Sequence, residues 1–503
     1  MYATVSSAVV EGVDGHAVNV EVHVSNGLPS YTLVGMPDAA CRESRDRVRA
    51  AILSSGFDWP RRRVTINLAP AGIRKQGAAL DLPIALGILA ASEQLDANAL
   101  TLIGAVGELG LDGSVRPVAG LVCLAGAVTA AEVVVPVEGA AEAAVVRPDT
   151  VRAARCLRSL VEAVTGEGPP LDVVRPDPFV AGETSVGDLA DVRGQATARW
   201  ALEIAAAGGH HLLLVGPPGS GKTMLASRLV GVLPDLDPCT ATLVTRVHSA
   251  AGVGYRRGVV RRPPLRAPHH GASLVSLVGG GSSTLRPGEI SCAHGGVLFL
   301  DELGEFSPSA LDALRQPLEE GVVRVARAAR AVTLPARFLL VAAMNPCPCG
   351  EGGTTGRCRC SEAVRARYAR RLSGPLLDRF DIRVEVRPPS PHLLLDGPAE
   401  ESSGTVADRI ERARSAAAER GFPCNAAIPA EQLDEFAPLT SSAKNVLRAA
   451  LESGRLTGRG LARIRTVSRT IADLFDVDEI DHEIAATALS LRACPVSVLG
   501  IGR

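Results

Sequence analysis

The 503-residue chain predicts an α/β protein in three parts: an N-terminal α+β domain, a central P-loop core and a C-terminal helical domain. Three observations predict it. The run Gly216-Pro217-Pro218-Gly219-Ser220-Gly221-Lys222-Thr223 fits G-x-x-x-x-G-K-[ST] between an apolar strand signal, Leu212–Val215, and a helix signal, Met224–Val230. A second apolar strand signal, Val297–Leu300, ends in Asp301 and Glu302. Two segments rich in Pro, Gly and small polar residues, 166–186 and 391–404, read as linkers and divide the chain into 1–165, 187–390 and 405–503.

In the first block, Val18, Val20, Val22 and Val24 alternate with polar residues, which predicts a half-buried strand. Ala39–Ser55 and Asp81–Ser92 read as helices; Arg63–Leu68, Leu102–Leu109 and Ala131–Val135 read as strands. In the central block, the P-loop glycines let successive backbone N–H groups converge on phosphate oxygens, and the following helix adds the positive end of its dipole. Lys222 is placed to reach the outer phosphates of a nucleoside triphosphate, and the Thr223 hydroxyl to ligate Mg²⁺. Asp301 is placed to hold the same Mg²⁺ and Glu302 to polarise an attacking water. A third apolar strand, Phe338–Met344, ends in Asn345, whose amide can orient that water and sense the terminal phosphate. The tail from 405 has apolar positions at helical spacing and few strand signals.

Composition narrows the classes. Hydrophobic content of 46% and charged content of 21% are those of a soluble globular protein. A net charge of −1 gives no global attraction to nucleic acid or membrane, so any such surface must be local. No uncharged apolar run is long enough to span a bilayer, and no export signal opens the chain. The eleven cysteines, an odd number, then suit a reducing cytoplasm better than a disulfide framework.

The order P-loop, Asp-Glu strand, Asn strand, then Gly374-Pro375-Leu376-Leu377-Asp378-Arg379-Phe380-Asp381, resembles AAA+ ATPases, and more narrowly the magnesium-chelatase-like YifB/ComM family. Asp191-Val192-Arg193-Gly194-Gln195, Arg266-Ala267-Pro268-His269-His270, Arg286-Pro287-Gly288-Glu289-Ile290 and Asn345-Pro346-Cys347-Pro348-Cys349-Gly350 also match, so the resemblance runs over nearly the whole chain. It implies an ATP- and Mg²⁺-dependent homo-oligomer, a hexameric ring, in which Arg379 is the finger offered to the neighbour's ATP; Arg370 and Arg371 compete for that role. It implies a second sensor at Thr457-Gly458-Arg459-Gly460, where Arg459 would touch nucleotide in cis and Arg463 is the competitor. The first block resembles a Lon-type protease domain without its Ser-Lys dyad. Ala79, in the run Lys75–Asp81, stands where the nucleophilic serine would be, and Val122, after Ala119-Gly120-Leu121, stands where the lysine would be. A binding or assembly role toward protein partners is the remaining expectation for that block. The implied work is translocation on or remodelling of single-stranded or branched DNA, as a helicase or branch-migration motor in recombination or transformation. The rival readings are a magnesium-chelatase-like metal-insertion chaperone, a protein remodeller and an ATP-dependent protease, the last opposed by Ala79 and Val122.

Two local features stand beside these motifs. Between 240 and 290 there are seven arginines against one acid, Glu289, and between 321 and 371 ten against two glutamates. Such clusters suit a phosphate backbone; a solvated or subunit-facing surface is the other reading. Cys347-x-Cys349 and Cys358-x-Cys360 flank a Gly-rich loop. Four thiolates so grouped could hold a tetrahedral structural Zn²⁺, although the spacing is tighter than C-x₂-C, and free buried thiols are the alternative.

Overall fold

The computed structural model describes residues 1–176, 187–253, 258–281, 285–327, 330–351, 358–371 and 374–493. At its centre is a parallel sheet of β1 (Leu212–Val215), β2 (Leu265–Arg266), β3 (Val297–Leu300), β4 (Leu339–Met344) and β5 (Ile382–Glu385), in the order β2-β3-β4-β1-β5. The inner strands β1, β3 and β4 are continuous apolar runs because both faces of the sheet are covered. In the register, Leu212 lies opposite both Val341 and Ile382, and Val297 opposite Leu339. The C-terminal ends of β1, β3 and β4 therefore open on one edge, the usual location of a ligand crevice in an α/β sheet.

The N-terminal domain is built on a mixed eight-stranded sheet. Tyr2–Glu11 and Asp14–Ser25 form a long antiparallel pair, and the fully buried helix Asp81–Ala91 packs on it. The valine alternation expected at 18–24 sits inside the second of these strands, with the valines buried. The strand expected over Leu102–Leu109 is interrupted. Ile103–Ala105 joins the main sheet, but Gly107 N–H donates to Ala79 O at 3.0 Å, and Glu108–Leu109 turns away to pair with Val115–Arg116. The domain rests on the central-sheet domain through the helix Leu121–Ala127: Gly120 N–H donates to Ser249 O at 2.8 Å, and Val122 N–H to Ser249 Oγ at 3.2 Å.

Both expected linkers carry structure. Within 166–186, Val173–Val174 pairs antiparallel with Val151–Ala154 and completes the first sheet. Within 391–404, Pro391–Leu395 is a short helix: Ser390 caps it through Leu393 N–H, and Pro391, with no N–H to leave unpaired, starts it. The helical domain begins at Ser403, where Ser402 caps the helix Ser403–Glu419. With Ser441–Glu452, Gly458–Leu474 and His482–Ala493, that helix shares one apolar core with the sheet. No helix among the described residues is long and apolar enough to cross a membrane.

Candidate nucleotide site

The edge where β1, β3 and β4 end holds a cavity of 710 Å³ lined by the P-loop, Asp301, Glu302, Asn345 and the chain on either side of the core. The P-loop leaves β1 and enters the helix Lys222–Val232, whose first N–H groups open on the cavity. Gly219 and Gly221 have φ of 75° and 90°, and a Cβ at either would meet nothing within 4 Å. Their backbone thus takes a conformation that other residues rarely adopt, around space an anion could fill.

Lys222 is largely buried, and its ammonium donates to Gly216 O at 2.7 Å, Pro217 O at 2.8 Å and Asn345 Oδ1 at 3.3 Å. Burial lowers its pKa, against the opposing pull of Asp301 and Glu302. Thr223 Oγ1 donates to Asp301 Oδ2 at 2.7 Å, so the two oxygens expected to share Mg²⁺ already converge. Mg²⁺ suits that pair of hard oxygen ligands, and when bound it would neutralise phosphate charge there. Glu302 follows with φ of 52°, an uncommon position for a non-glycine residue, and lines the same cavity.

Several contributors were not assigned from the sequence. His270 Nδ1 lies 3.1 Å from Glu302 Oε2, and its ring packs, tilted by 34°, against His269 at 4.0 Å between centroids. Its motif was recognised but given no role. Only the structure supplies the link: β2 pairs β3 with Arg266 opposite Leu298, and the same offset carried four residues on sets His270 opposite Glu302. Gln195 Nε2 donates to Ser220 O at 3.0 Å and to Arg387 O at 2.6 Å, tying the P-loop to the chain after β5. Val192, Pro389 and Leu394 give the cavity an apolar wall suited to a base, and Arg193 Nη1 donates to Leu394 O at 2.8 Å. Part of that wall comes from the stretch expected to be linker.

Arg379 lies elsewhere. It precedes β5, whose first residue pairs with the first residue of β1, whereas the P-loop follows the last. Strand rise over β1 alone puts roughly 13 Å between the two edges. Arg379 pairs with Glu319, and its Nη1 donates to Pro375 O at 2.8 Å. Burial, then the neighbouring Arg463, Arg315 and Arg459, lower its pKa. Arg459 is exposed and outside the cavity lining; Arg463 is paired with Asp381, and its Nη1 donates to Arg379 O at 2.9 Å. The side chains of Arg370 and Arg371 lie outside the described residues.

Of the basic insertions, Arg246 is 3.1 Å from Asp14, Arg262 3.3 Å from Asp235 and Arg324 2.6 Å from Glu320, while Arg266 makes two bonds to Glu289 at 2.6 and 2.8 Å. Arg261 and Arg286 are exposed. Arg256 and Arg257 are not among the described residues. Ala79 and Val122 are both buried apolar side chains. The four cysteines come together: their sulfurs all lie within 4.8 Å of one another, with Cys347 buried. Burial pushes the Cys347 thiol up to about 12, while the hydrogen bond from Cys347 draws Cys349 down to about 6.

A P-loop on β1, paired acids after β3 and a polar amide after β4 define a nucleotide-binding protein of the AAA+ type. Comparison with known proteins narrows the class. The family described as "Magnesium chelatase, subunit ChlI" matches residues 188–393, "Subunit ChlI of Mg-chelatase" matches 20–139, and "Magnesium chelatase, subunit ChlI C-terminal" matches 400–492. The chain is 43% identical to the competence protein ComM of Haemophilus influenzae, covering 98% of this chain and 97% of that one. It is 42% identical to YifB of Escherichia coli, over 96% and 95% of the two chains. It therefore belongs to the YifB/ComM family of magnesium-chelatase-like proteins. A shorter stretch, 35% of this chain and 22% of the other, is 26% identical to a probable DNA helicase, MCM9, of Arabidopsis thaliana.

Proposed function

We propose that the protein is a hexameric AAA+ ATPase that couples ATP hydrolysis to translocation on, or remodelling of, single-stranded or branched DNA. In this reading Lys222, Thr223 and Asp301 hold the phosphates and Mg²⁺, Glu302 is the general base, and Asn345 orients the attacking water. The observation that carries it is the separation of Arg379 and Arg459 from the chain's own P-loop, at the opposite edge of the sheet. Guanidiniums gather near one another there, Arg379 beside Glu319 and Arg463 beside Asp381, and a further anion would be drawn to them. The γ-phosphate of a neighbouring copy is such an anion, and a ring provides it to every subunit. Arg459 then acts in trans beside Arg379, and not in cis.

The DNA half of the reading is supported by the similarity to a competence protein and to a probable helicase, and by exposed Arg261 and Arg286. With Arg246, Arg262, Arg266 and Arg324 each beside a carboxylate, the surface left for phosphates is narrower than the arginine counts imply. The N-terminal domain is read as a Lon-protease-like adaptor for assembly or protein partners. The family descriptions keep one alternative open, a chelatase-type chaperone acting on a metal-inserting partner.

The test is the steady-state ATPase rate with and without single-stranded, duplex and four-way-junction DNA at low and moderate salt. Stimulation by forked or junction DNA, absent in Lys222→Ala, is expected. A robust rate indifferent to every DNA would overturn the DNA coupling and move the search to protein partners.

A further inference from the structure

Among the described residues, one group of potential metal ligands stands outside the Mg²⁺ site: Cys347, Cys349, Cys358 and Cys360. The sulfurs of Cys347 and Cys349 are 3.2 Å apart, and each is 3.7 Å from that of Cys358. A tetrahedral ion with bonds of about 2.3 Å to sulfur sets its four ligands about 3.8 Å apart. A disulfide needs about 2.05 Å, and no pair approaches it. A cluster of two or four irons would spread the thiolates further than a single ion does.

The position of this cluster relative to the nucleotide cavity gives it a consequence. Cys347 follows Asn345 by two residues, and Gly350 N–H donates to Cys347 O at 2.9 Å, closing a turn around the first pair of cysteines. Gly350 has φ of 80°, and a Cβ there would lie 2.6 Å from Cδ and 2.7 Å from Cγ of Pro218. The turn that carries two of the thiols therefore presses directly on the P-loop at one end and continues into the Asn345 strand at the other.

We propose that these four cysteines bind one zinc ion per chain, and that the ion braces the phosphate-binding loop by fixing the Cys347–Gly350 turn against Pro218. The bracing half rests on the ATP-binding reading above; the metal half does not. The experiment takes the full-length protein, purified under reducing conditions from cells grown with zinc. Metal is measured by elemental analysis and by mercurial release into a chromogenic zinc indicator, and ATPγS affinity by titration. One zinc per chain is expected, released when the thiols are blocked. In Cys358→Ser/Cys360→Ser the content should fall below about a tenth and ATPγS affinity should weaken about tenfold. Cys239→Ser, an exposed cysteine outside the group, should change neither. Lys222→Ala should keep its zinc while losing ATPγS, which separates the metal site from the nucleotide reading. Wild-type protein with four reactive thiols and no bound zinc would overturn the site. A double variant without zinc that binds ATPγS as tightly as wild type would overturn the brace. Should the double variant not fold, mercurial release from the wild type still counts the ion.

Discussion

The contact between His270 and Glu302 makes a prediction about resting activity. The carboxylate proposed to polarise water is 3.1 Å from a ring nitrogen, on a backbone already held at φ of 52°. An imidazole this close to the carboxylate competes with the attacking water for the place beside it. His270→Ala releases it. The His270 and Glu302 side chains are 35% and 53% exposed, so the contact is worth the ~0–1 kcal/mol of an exposed pair. About 1 kcal/mol corresponds to roughly a fivefold change in rate. The expected result is a basal kcat up to about fivefold higher in His270→Ala, with KM for ATP little changed and a smaller stimulation by DNA. Steady-state hydrolysis with a coupled assay, with and without DNA, reads all three. A basal kcat that falls at unchanged KM would refute the reasoning, because His270 would then be orienting Glu302 toward the water.

Glu302→Gln should lower kcat by about 10²-fold or more while leaving ATPγS affinity near wild type, since only the base is lost; intact hydrolysis would remove Glu302 from that role. Lys222→Ala and Arg379→Ala should each be inactive alone, the second by about 10³-fold. Mixed in equal amounts they should recover about a quarter of the wild-type rate, the share of interfaces that pair an intact P-loop with an intact finger. No recovery in assembled mixed rings would argue against action in trans. Burial lowers the pKa of both His210 and His294 to about 4. The folded values lie below the unfolded value of about 6.5, so the unfolded chain takes up protons first and stability is lost as pH falls from about 6.5 toward 4. The loss is at most ~1.4 kcal/mol per histidine per pH unit in that window. The midpoint of thermal unfolding should drop by several degrees between pH 7 and 5.5, and a flat profile would contradict the burial argument.

The P-loop end of the cavity was legible because its signals are local in sequence. Gly216–Thr223 carries its own strand and helix signals, and Asp301, Glu302 and Asn345 each end an apolar strand, so the parallel sheet brings them to one edge without further information. What escaped depended on pairing between distant segments. His270 reaches Glu302 only through the β2–β3 register, and two-residue β2 is too short to announce itself by alternation. Leu394 lies in a Pro-rich stretch whose composition signals a linker, but Ser390 and Pro391 supply a cap and a first turn that make it a helix. Gly107 broke an expected strand for a reason outside that strand, its N–H being claimed by Ala79.

On the proposed reading, the same sheet accounts for why one chain would be insufficient. In a parallel sheet every strand begins at one edge and ends at the other, so groups following β1, β3 and β4 face the nucleotide while groups preceding β5 cannot. Arg379 is held in that second position from several sides. Asp381 N–H and Ile382 N–H both reach His211 O, at 3.0 and 3.1 Å, and His211 N–H returns a bond to Asp381 Oδ2 at 3.1 Å. Burial disfavours the Asp381 charge, but Arg463 from the helical domain, with His210 and His211, keeps its carboxyl below the usual range. Arg463 also grips Arg379 O, so the helical domain and the end of the sheet carry the arginine as one unit. A domain movement that follows nucleotide turnover in one subunit would therefore move the arginine offered to the next. Asp381→Asn removes the charge at the centre of that linkage. It should leave ATPγS binding intact and reduce hydrolysis by the assembled protein; unchanged hydrolysis would show that Arg379 is held by Glu319 and Pro375 alone.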